Sequence, residues 1–143
     1  MGDTSDDTTL HLLLRLSRFA SVNGRRIDIV DAHNEVIETH QKVALAKHGR
    51  SVSKVRIRKL CEQIEKGTPT FLVLAFRKSN AFSAFAAPLS RVITGRVQDV
   101  AEKPSYYKSL VDFEPSCWFI LSDRFCEISL EELCMAKDGK NVV

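Results

Sequence analysis

The 143-residue chain predicts an α+β fold, in which a small curled β-sheet or barrel is flanked by two or three helices. Three observations predict it. Leucines alternate near the start, as in a strand with one buried face; two segments have apolar residues at helical spacing; and short apolar runs dominate the second half. Strands and helices do not alternate regularly along the chain, which argues against a doubly wound sheet.

Length and composition allow one domain with a substantial core. The chain is 44% hydrophobic and 27% charged, and its net charge is only +3. It is therefore not a polycation, and any nucleic-acid contact must be a local patch. Residues 1–8 are polar and acidic and are expected to be disordered, which leaves a single domain over residues 9–143. No apolar run approaches the roughly 18 residues that span a bilayer, so no membrane partner is expected.

Four cysteines, Cys61, Cys117, Cys126 and Cys134, lack the spacing of a zinc site and sit beside apolar residues. They are expected to be reduced thiols that pack as small hydrophobic side chains. Together with a polar N-terminus that is not a signal peptide, they indicate a cytoplasmic protein. No metal or cofactor is predicted.

The first half is predicted as strand, helix, strand, helix. LHLLLRLS is the first strand, and SVNGRR is a turn around Gly24. DAHNEVIETHQ is a short helix with Asp31 as its cap. His33 and His40 lie on its apolar stripe; they could reach one metal ion, but histidines so placed are more often core or boundary residues with a hydrogen-bond partner. KVALAK is a strand, and SVSKVRIRKLCEQIEKG is the clearest helix, ended by Gly67.

The second half is predicted to consist mostly of strands. TFLVLAFRK is a buried strand, SNAFSAFAAPLS a loop rich in small residues, and RVITGRVQDV another strand. EKPSYYKSLVDFEPS is a long connection. CWFILS is a core strand, FCEIS a shorter strand, and SLEELCMAK a final helical turn or two.

The clearest functional signal is the segment KVALAKHGRSVSKVRIRK, residues 42–59, which holds seven Lys or Arg and no acidic residue. A helix face that serves solubility alone usually mixes signs, whereas an unmixed basic face suits phosphate. A solvated face and a site for an acidic protein partner are the alternatives. The side chains predicted to contact a nucleic-acid backbone are Lys47, His48, Arg50, Lys54, Arg56 and Arg58.

Several side chains are suited to contacting a base. Tyr106 and Tyr107 lie in a predicted loop beside Lys108, where aromatic rings can stack on bases, although they could equally cover the edge of the core. Asn80 can read a base edge because its amide both donates and accepts, and Phe82 lies in the same loop. No catalytic motif occurs and the acidic residues are scattered, so a binding module is predicted, with a small nucleic-acid-processing enzyme as the alternative.

The order of these segments resembles the EVE and YTH group of modified-base reader domains in the PUA-like superfamily. It is most similar to the versions at the N-termini of McrBC-like modification-dependent restriction systems. The resemblance covers roughly residues 10–135 and rests on HNEVIETH, KVALAK and HGR, followed later by PSYYK and CWFILSD. The matching positions are Lys47, Gly49, Tyr106, Tyr107, Trp118, Phe119, Leu121 and Asp123.

The resemblance implies a small barrel that binds double-stranded DNA and flips a modified base into a pocket, with further domains or subunits of a restriction complex as partners. A PUA-like RNA-binding domain is the alternative. The implied base pocket comprises Asn80, Phe82, Tyr106, Tyr107, Trp118 and Asp123. The family often has tryptophan where this chain has Ala44 and Leu45, which implies an aromatic cage that is reduced, relocated or different in chemistry.

Overall fold

The structure is a computed structural model that describes residues 9–47, 52–78, 81–94, 102–109 and 115–129. Within these ranges, two α-helices accompany eight strands, which confirms the α+β class. The N-terminal residues predicted to be disordered and the helical turn predicted near the C-terminus lie outside the described residues. No helix among the described residues has the length and apolar character needed to cross a membrane.

A hairpin follows the first strand, and the sequence prediction included only its turn. After β1 (Leu12–Arg15), β2 (Phe19–Val22) pairs antiparallel with β3 (Arg25–Asp28). The two residues that connect them, Asn23 and Gly24, have φ angles of 51° and 76°. A tight hairpin turn of this type needs two left-handed residues, and Asn-Gly is the pair that adopts them most readily.

The first helix, α1, spans Ile29–His40 and begins directly after the hairpin. Its cap is Asp28, whose carboxylate accepts a hydrogen bond from the backbone N–H of Asp31 at 3.2 Å. The prediction that Asp31 caps the helix was therefore wrong by one turn, because the last residue of β3 already supplies the capping oxygen. The helix ends at Gln41, which adopts a left-handed conformation with φ 62°.

The predicted strand and helix that follow are both present. β4 is Val43–Lys47 and α2 is Lys54–Glu65. The Ser53 hydroxyl caps α2 by accepting from the Arg56 N–H at 3.2 Å, and Gly67 follows the helix with φ 81°. The predicted apolar stripe of α2 packs against the core through Ile57, Leu60, Cys61 and Ile64.

The remaining elements are β5 (Phe71–Lys78), β6 (Ala81–Thr94), a 3-10 turn at Ser105–Ser109, β7 (Cys117–Leu121) and β8 (Cys126–Ile128). The prediction of a loop over residues 79–90 was wrong, because residues 81–90 form the first part of β6. Alanine has a low intrinsic preference for strands, but β6 pairs with β5 on one edge and with β8 on the other. Pairing on both edges overrides the weak local preference.

Six of the eight strands form one sheet in the order β1-β5-β6-β7-β4, with β8 also paired to β6, and β2 and β3 form a separate two-stranded sheet. β1 runs parallel to β5, and the other pairs are antiparallel. The register shifts between Leu89 and Arg91, where β6 leaves β5 and begins to pair with β7. A bulge of this kind bends a sheet. Among the described strands β1 and β4 remain at opposite ends of the order, so a closed barrel is not shown.

The main core lies between one face of this sheet and the two helices. Alternate residues of β1, β4, β5 and β7, together with residues of β6, point into it, and Leu60 of α2 is completely buried there. The strand residues that contribute the largest fully buried side chains are Val43, Leu72, Leu74, Cys117, Phe119 and Leu121. Full burial of each large apolar side chain contributes about 1.5–3 kcal/mol.

Candidate functional site

Three of the predicted base-contacting residues, Tyr106, Tyr107 and Trp118, come together on the face of β4 and β7 that points away from the main core. We call them the aromatic cluster. Neighbouring residues of a strand point to opposite faces, so Phe119 enters the main core while Trp118 does not. Trp118 lies directly opposite Ala46 of β4. The small side chain of Ala46 leaves room for the indole.

The Tyr107 hydroxyl completes the free edge of β4. One edge of β4 pairs with β7; on the other, the Ala44 N–H donates to the Glu102 carbonyl at 2.8 Å. The next N–H on that edge, of Ala46, donates to the Tyr107 hydroxyl at 3.2 Å. Residues 102–109 therefore cover this edge of the strand, with a side-chain oxygen replacing one backbone acceptor. An unpaired backbone N–H here would otherwise carry a desolvation cost.

His33 of α1 holds this hydroxyl from the other side. Its Nδ1 lies 2.7 Å from the Ile29 carbonyl and its Nε2 lies 2.8 Å from the Tyr107 hydroxyl. A carbonyl can only accept, so Nδ1 carries the proton, and the neutral ring accepts at Nε2 the hydrogen bond that Tyr107 donates. The interpretation of His33 as a core histidine with a hydrogen-bond partner is confirmed.

Burial keeps these two groups neutral. His33 has 0% exposure, and desolvation lowers its pKa to about 4, although the bond to the Ile29 carbonyl acts in the opposite direction. Burial also raises the pKa of Tyr107 well above its ordinary value. The pair is thus a neutral hydrogen-bonded contact that joins α1, β4 and the 102–109 segment.

Tyr106 is the member of the cluster that remains accessible. Its ring meets that of Tyr107 edge to face, with centroids 4.7 Å apart, and burial raises its pKa to about 12. Tyr107 and Trp118 are only 8% and 4% exposed. In this arrangement their faces are covered by protein, so Tyr106 offers the one aromatic surface of the cluster on which a base can stack.

The other residues of the implied base pocket lie elsewhere. Asp123 lies just beyond Leu121, at the end of β7 opposite to Trp118. Its carboxylate is exposed and accepts from the N–H of Arg124 at 2.7 Å. Phe82 pairs with Arg77 at the start of β6, whereas Trp118 pairs with Ile93 near the end of that strand. Asn80 lies outside the described residues. Among the predicted pocket residues that the structure describes, Tyr106, Tyr107 and Trp118 lie together, whereas Asp123 lies beyond the opposite end of β7.

Three of the six predicted backbone-contacting residues, Lys54, Arg56 and Arg58, lie in the first half of α2. We define the basic surface as Lys54, Arg56, Arg58 and Lys59; the first three are exposed and the fourth is partly buried. The first turn of α2 contains no acidic residue. Val55, which is 74% exposed, lies among these cations. Glu62 and Glu65 follow, so the unmixed positive charge is confined to the first half of the helix.

The basic surface begins at the same end of the sheet as the aromatic cluster. Lys47, the last residue of β4, pairs with Cys117, the residue before Trp118. The Cys117 thiol in turn interacts with the backbone of Val52, just ahead of α2. Lys47 is partly buried. His48 and Arg50, between β4 and α2, lie outside the described residues.

A cleft with a volume of about 610 Å³ opens beside this region, and sequence reasoning did not anticipate it. Its walls come from the β2–β3 hairpin, the outer face of α1 and the segment 103–106, which are distant in the chain. Tyr106 contributes to its lining. The available sequence signal was the spacing of Asp31 and Glu35, which puts two carboxylates on the solvent face of α1. Because the sequence predicted only a turn where the β2–β3 hairpin lies, it did not indicate that these carboxylates line a cleft.

Within the described ranges, no group of three or more His, Cys, Asp or Glu side chains is arranged to hold a metal ion. Cys61, Cys117 and Cys126 are free thiols. Comparison with protein-family models, with curated proteins and with solved structures gives no match.

Proposed function

We propose that the chain is a nucleic-acid-binding domain that contacts phosphates through the basic surface and reads a modified base flipped out of duplex DNA. The basic surface is the observation that carries this proposal. It places four cations on two turns of one helix with no acidic residue among them. Such a surface favours binding to a polyanion, because each neutralised phosphate releases condensed counterions.

The base-reading part of the proposal is supported by the resemblance to PUA-like readers and by Tyr106. A flipped base must regain a few kcal/mol of lost stacking, and an accessible aromatic ring can supply much of it. Tyr106 is held at a fixed angle by Tyr107, which is itself fixed by His33. The ring is thus positioned before any ligand arrives. The mainly antiparallel sheet with two α-helices is consistent with the α+β class to which PUA-like domains belong.

In this proposal the domain provides specificity and performs no chemistry itself. Cleavage would belong to other domains or subunits of a modification-dependent restriction system. The observations that favour a reader over a nuclease are the solvent-facing cations and the positioned ring, neither of which is a catalytic group. Only binding is therefore proposed for these residues.

The first experiment measures fluorescence polarisation of one labelled duplex in four versions, each at two salt concentrations. The duplex is unmodified or contains N6-methyladenine, 5-methylcytosine or 5-hydroxymethylcytosine; a single-stranded and a duplex RNA of the same sequence complete the set. We expect salt-sensitive binding to every duplex and a preference for one modified version. No binding to any oligonucleotide at low salt overturns the proposal, and a preference for RNA moves it to RNA recognition.

Two matched double variants test the basic surface. Lys54→Ala/Arg58→Ala removes two of its cations, whereas Arg15→Ala/Arg77→Ala removes two exposed cations from β1 and β5. The first variant should weaken binding at least tenfold and reduce the salt slope by about two, because each phosphate contact contributes about one. The second should bind within about twofold of wild type. Equal losses in both variants would show that net charge alone, and no particular surface, determines affinity.

A further inference from the structure

The cleft beside Tyr106 has walls of opposite charge. On one side, Asp31 and Glu35 lie one helical turn apart on the exposed face of α1. On the other side, the hairpin contributes Arg25 and Arg26. In the part of the chain that the structure describes, no ion pair joins these arginines to these carboxylates. Unpaired carboxylates and guanidinium groups in one cleft suit a ligand that has N–H donors for the carboxylates and an anionic group for the arginines.

The remaining carboxylate in the cleft is already engaged. Asp28 forms an ion pair with Arg18 at 3.1 Å and also caps α1. The guanidinium of Arg26 lies 3.8 Å from the centroid of the Phe19 ring, which restricts its position.

His40 and Lys103 also line the cleft, and both have other contacts: His40 lies 3.7 Å from the Glu102 carboxylate, and the Lys103 ammonium lies 5.5 Å from the centroid of the Trp118 ring. The charged groups left for a ligand are Asp31 and Glu35 of α1 and the arginines of the hairpin.

Pro104 and Tyr106 also line the cleft. The Tyr106 ring packs edge to face against the ring of Tyr107, whose hydroxyl is hydrogen-bonded to His33. The volume of about 610 Å³ is within the range of about 300–1,000 Å³ in which small-molecule sites usually fall. An aromatic ring in the lining suits a planar aromatic ligand, which can stack on it.

We infer that the cleft receives one nucleotide whose base carries an exocyclic amino group: adenine, cytosine or guanine. The base stacks on Tyr106 and its N–H groups donate to Asp31 and Glu35, since an ionised carboxylate can only accept. The phosphate points to Arg25 and Arg26. Thymine lacks an exocyclic amine and would place carbonyl oxygens against the carboxylates. This inference rests on the proposed function, because the nucleotide is the one that leaves the duplex.

The test uses four duplexes that differ at one position only. Adenine, cytosine, guanine or thymine stands opposite an abasic site, so extrusion breaks no base pair in any of the four. Fluorescence polarisation should show that the wild-type chain binds the three amino-bearing duplexes at least fivefold more tightly than the thymine duplex. Asp31→Ala/Glu35→Ala should bind all four alike. Glu38→Ala, which removes a carboxylate of α1 that pairs with Arg124 at 3.3 Å outside the cleft, should keep the wild-type preference.

A second pair of variants tests the stacking surface. Tyr106→Ala should weaken binding to all four duplexes by about tenfold, and Tyr106→Phe, which keeps the ring, should stay within about twofold. Far-UV circular dichroism and the melting temperature establish that each variant is folded. If Asp31→Ala/Glu35→Ala is unfolded, Asp31→Asn/Glu35→Gln replaces it and should reduce the preference at least twofold.

Three outcomes overturn the inference, and they differ from one another. Wild-type binding that is equal for all four duplexes removes the cleft as a base site but leaves DNA binding intact. A preference that persists in both carboxylate variants places the base elsewhere. Absence of binding to every duplex at low salt overturns the proposed function and, with it, the occupant of the cleft.

Discussion

The aromatic cluster and the basic surface were both predicted to contact nucleic acid, but the first is largely buried and the second is largely exposed. In the aromatic cluster, the Tyr107 hydroxyl is satisfied by Ala46 and His33, and the Trp118 ring is covered by protein. On the basic surface, Lys54, Arg56 and Arg58 face solvent. The difference teaches that aromatic residues next to an edge strand can be needed for the core, whereas long cationic side chains at the start of a helix stay available.

The largest effect that can test this comparison comes from Trp118→Ala. If the indole is core, its removal should lower the free energy of unfolding by about 3–5 kcal/mol, the usual cost of deleting a buried aromatic side chain. Urea denaturation followed by circular dichroism measures this. Val55→Ala provides the control: it shortens an exposed apolar side chain and should change stability by less than about 0.5 kcal/mol.

The assignment of Trp118 to the core is contradicted if Trp118→Ala is as stable as wild type but no longer binds a modified duplex. That result would assign the indole to the ligand, as the resemblance to reader domains implies. If Trp118→Ala is destabilised but still binds DNA at a temperature where it is folded, the result supports a core role for the indole.

The pH dependence of stability gives the next largest effect. In the fold His33 has a pKa of about 4, against 6.5 when exposed. Between these values the unfolded chain binds the extra proton, so stability is complete above pH 6.5 and declines as the pH falls toward 4. The full loss is about 3 kcal/mol. Burial also lowers the pKa of His11, which acts in the same direction. Urea denaturation at pH 7 and pH 4.5 measures the slope.

His33→Gln isolates the contribution of the buried histidine. Glutamine keeps one donor and one acceptor but cannot take up a proton in this range. Most of the slope should disappear in this variant, while a slope that stays unchanged would mean that the Tyr107–His33 contact does not depend on a neutral imidazole.

Much of the fold followed from local patterns in the sequence. The strands around residues 10–16, 43–47, 71–78 and 117–121 and the helix α2 all have clear apolar periodicity, and the structure contains each of them. Capping was harder to place, since Asp28 and Asp31 are both good caps and only the end of β3 selects the first. The first part of β6 was missed because its strand character comes from pairing with β5 and β8, which no local pattern reveals.

The candidate site was less predictable than the fold. Periodicity could place Trp118 and Phe119 on opposite faces of a strand, but it could not show which face is covered by residues 102–109. Asp123 lies beyond the end of β7, whereas Tyr106 packs near the start of that strand. The sequence could not show this, because the position of residues 102–109 against the sheet is set by tertiary contacts. The basic surface was predictable because charge and helical spacing alone define it. The cleft was not, since its walls come from a hairpin, a helix and a connection far apart in the chain.

The smallest effect, and the one that separates the two regions most cleanly, comes from removing a single oxygen. Tyr107→Phe keeps the ring but deprives the Ala46 N–H of its acceptor and His33 of its donor. Each buried polar group that loses its partner costs about 1–3 kcal/mol. Because the Ala46 N–H is only partly buried, we expect values near the lower end, and the free energy of unfolding should fall by about 2 kcal/mol in total. Tyr106→Phe, on the accessible ring, should lower it by less than about 1 kcal/mol. Affinity for an unmodified duplex should stay the same in both variants, because neither touches the basic surface. A loss of affinity in Tyr107→Phe without a loss of stability would show instead that the aromatic cluster contacts the nucleic acid, and the two regions would then form one interface.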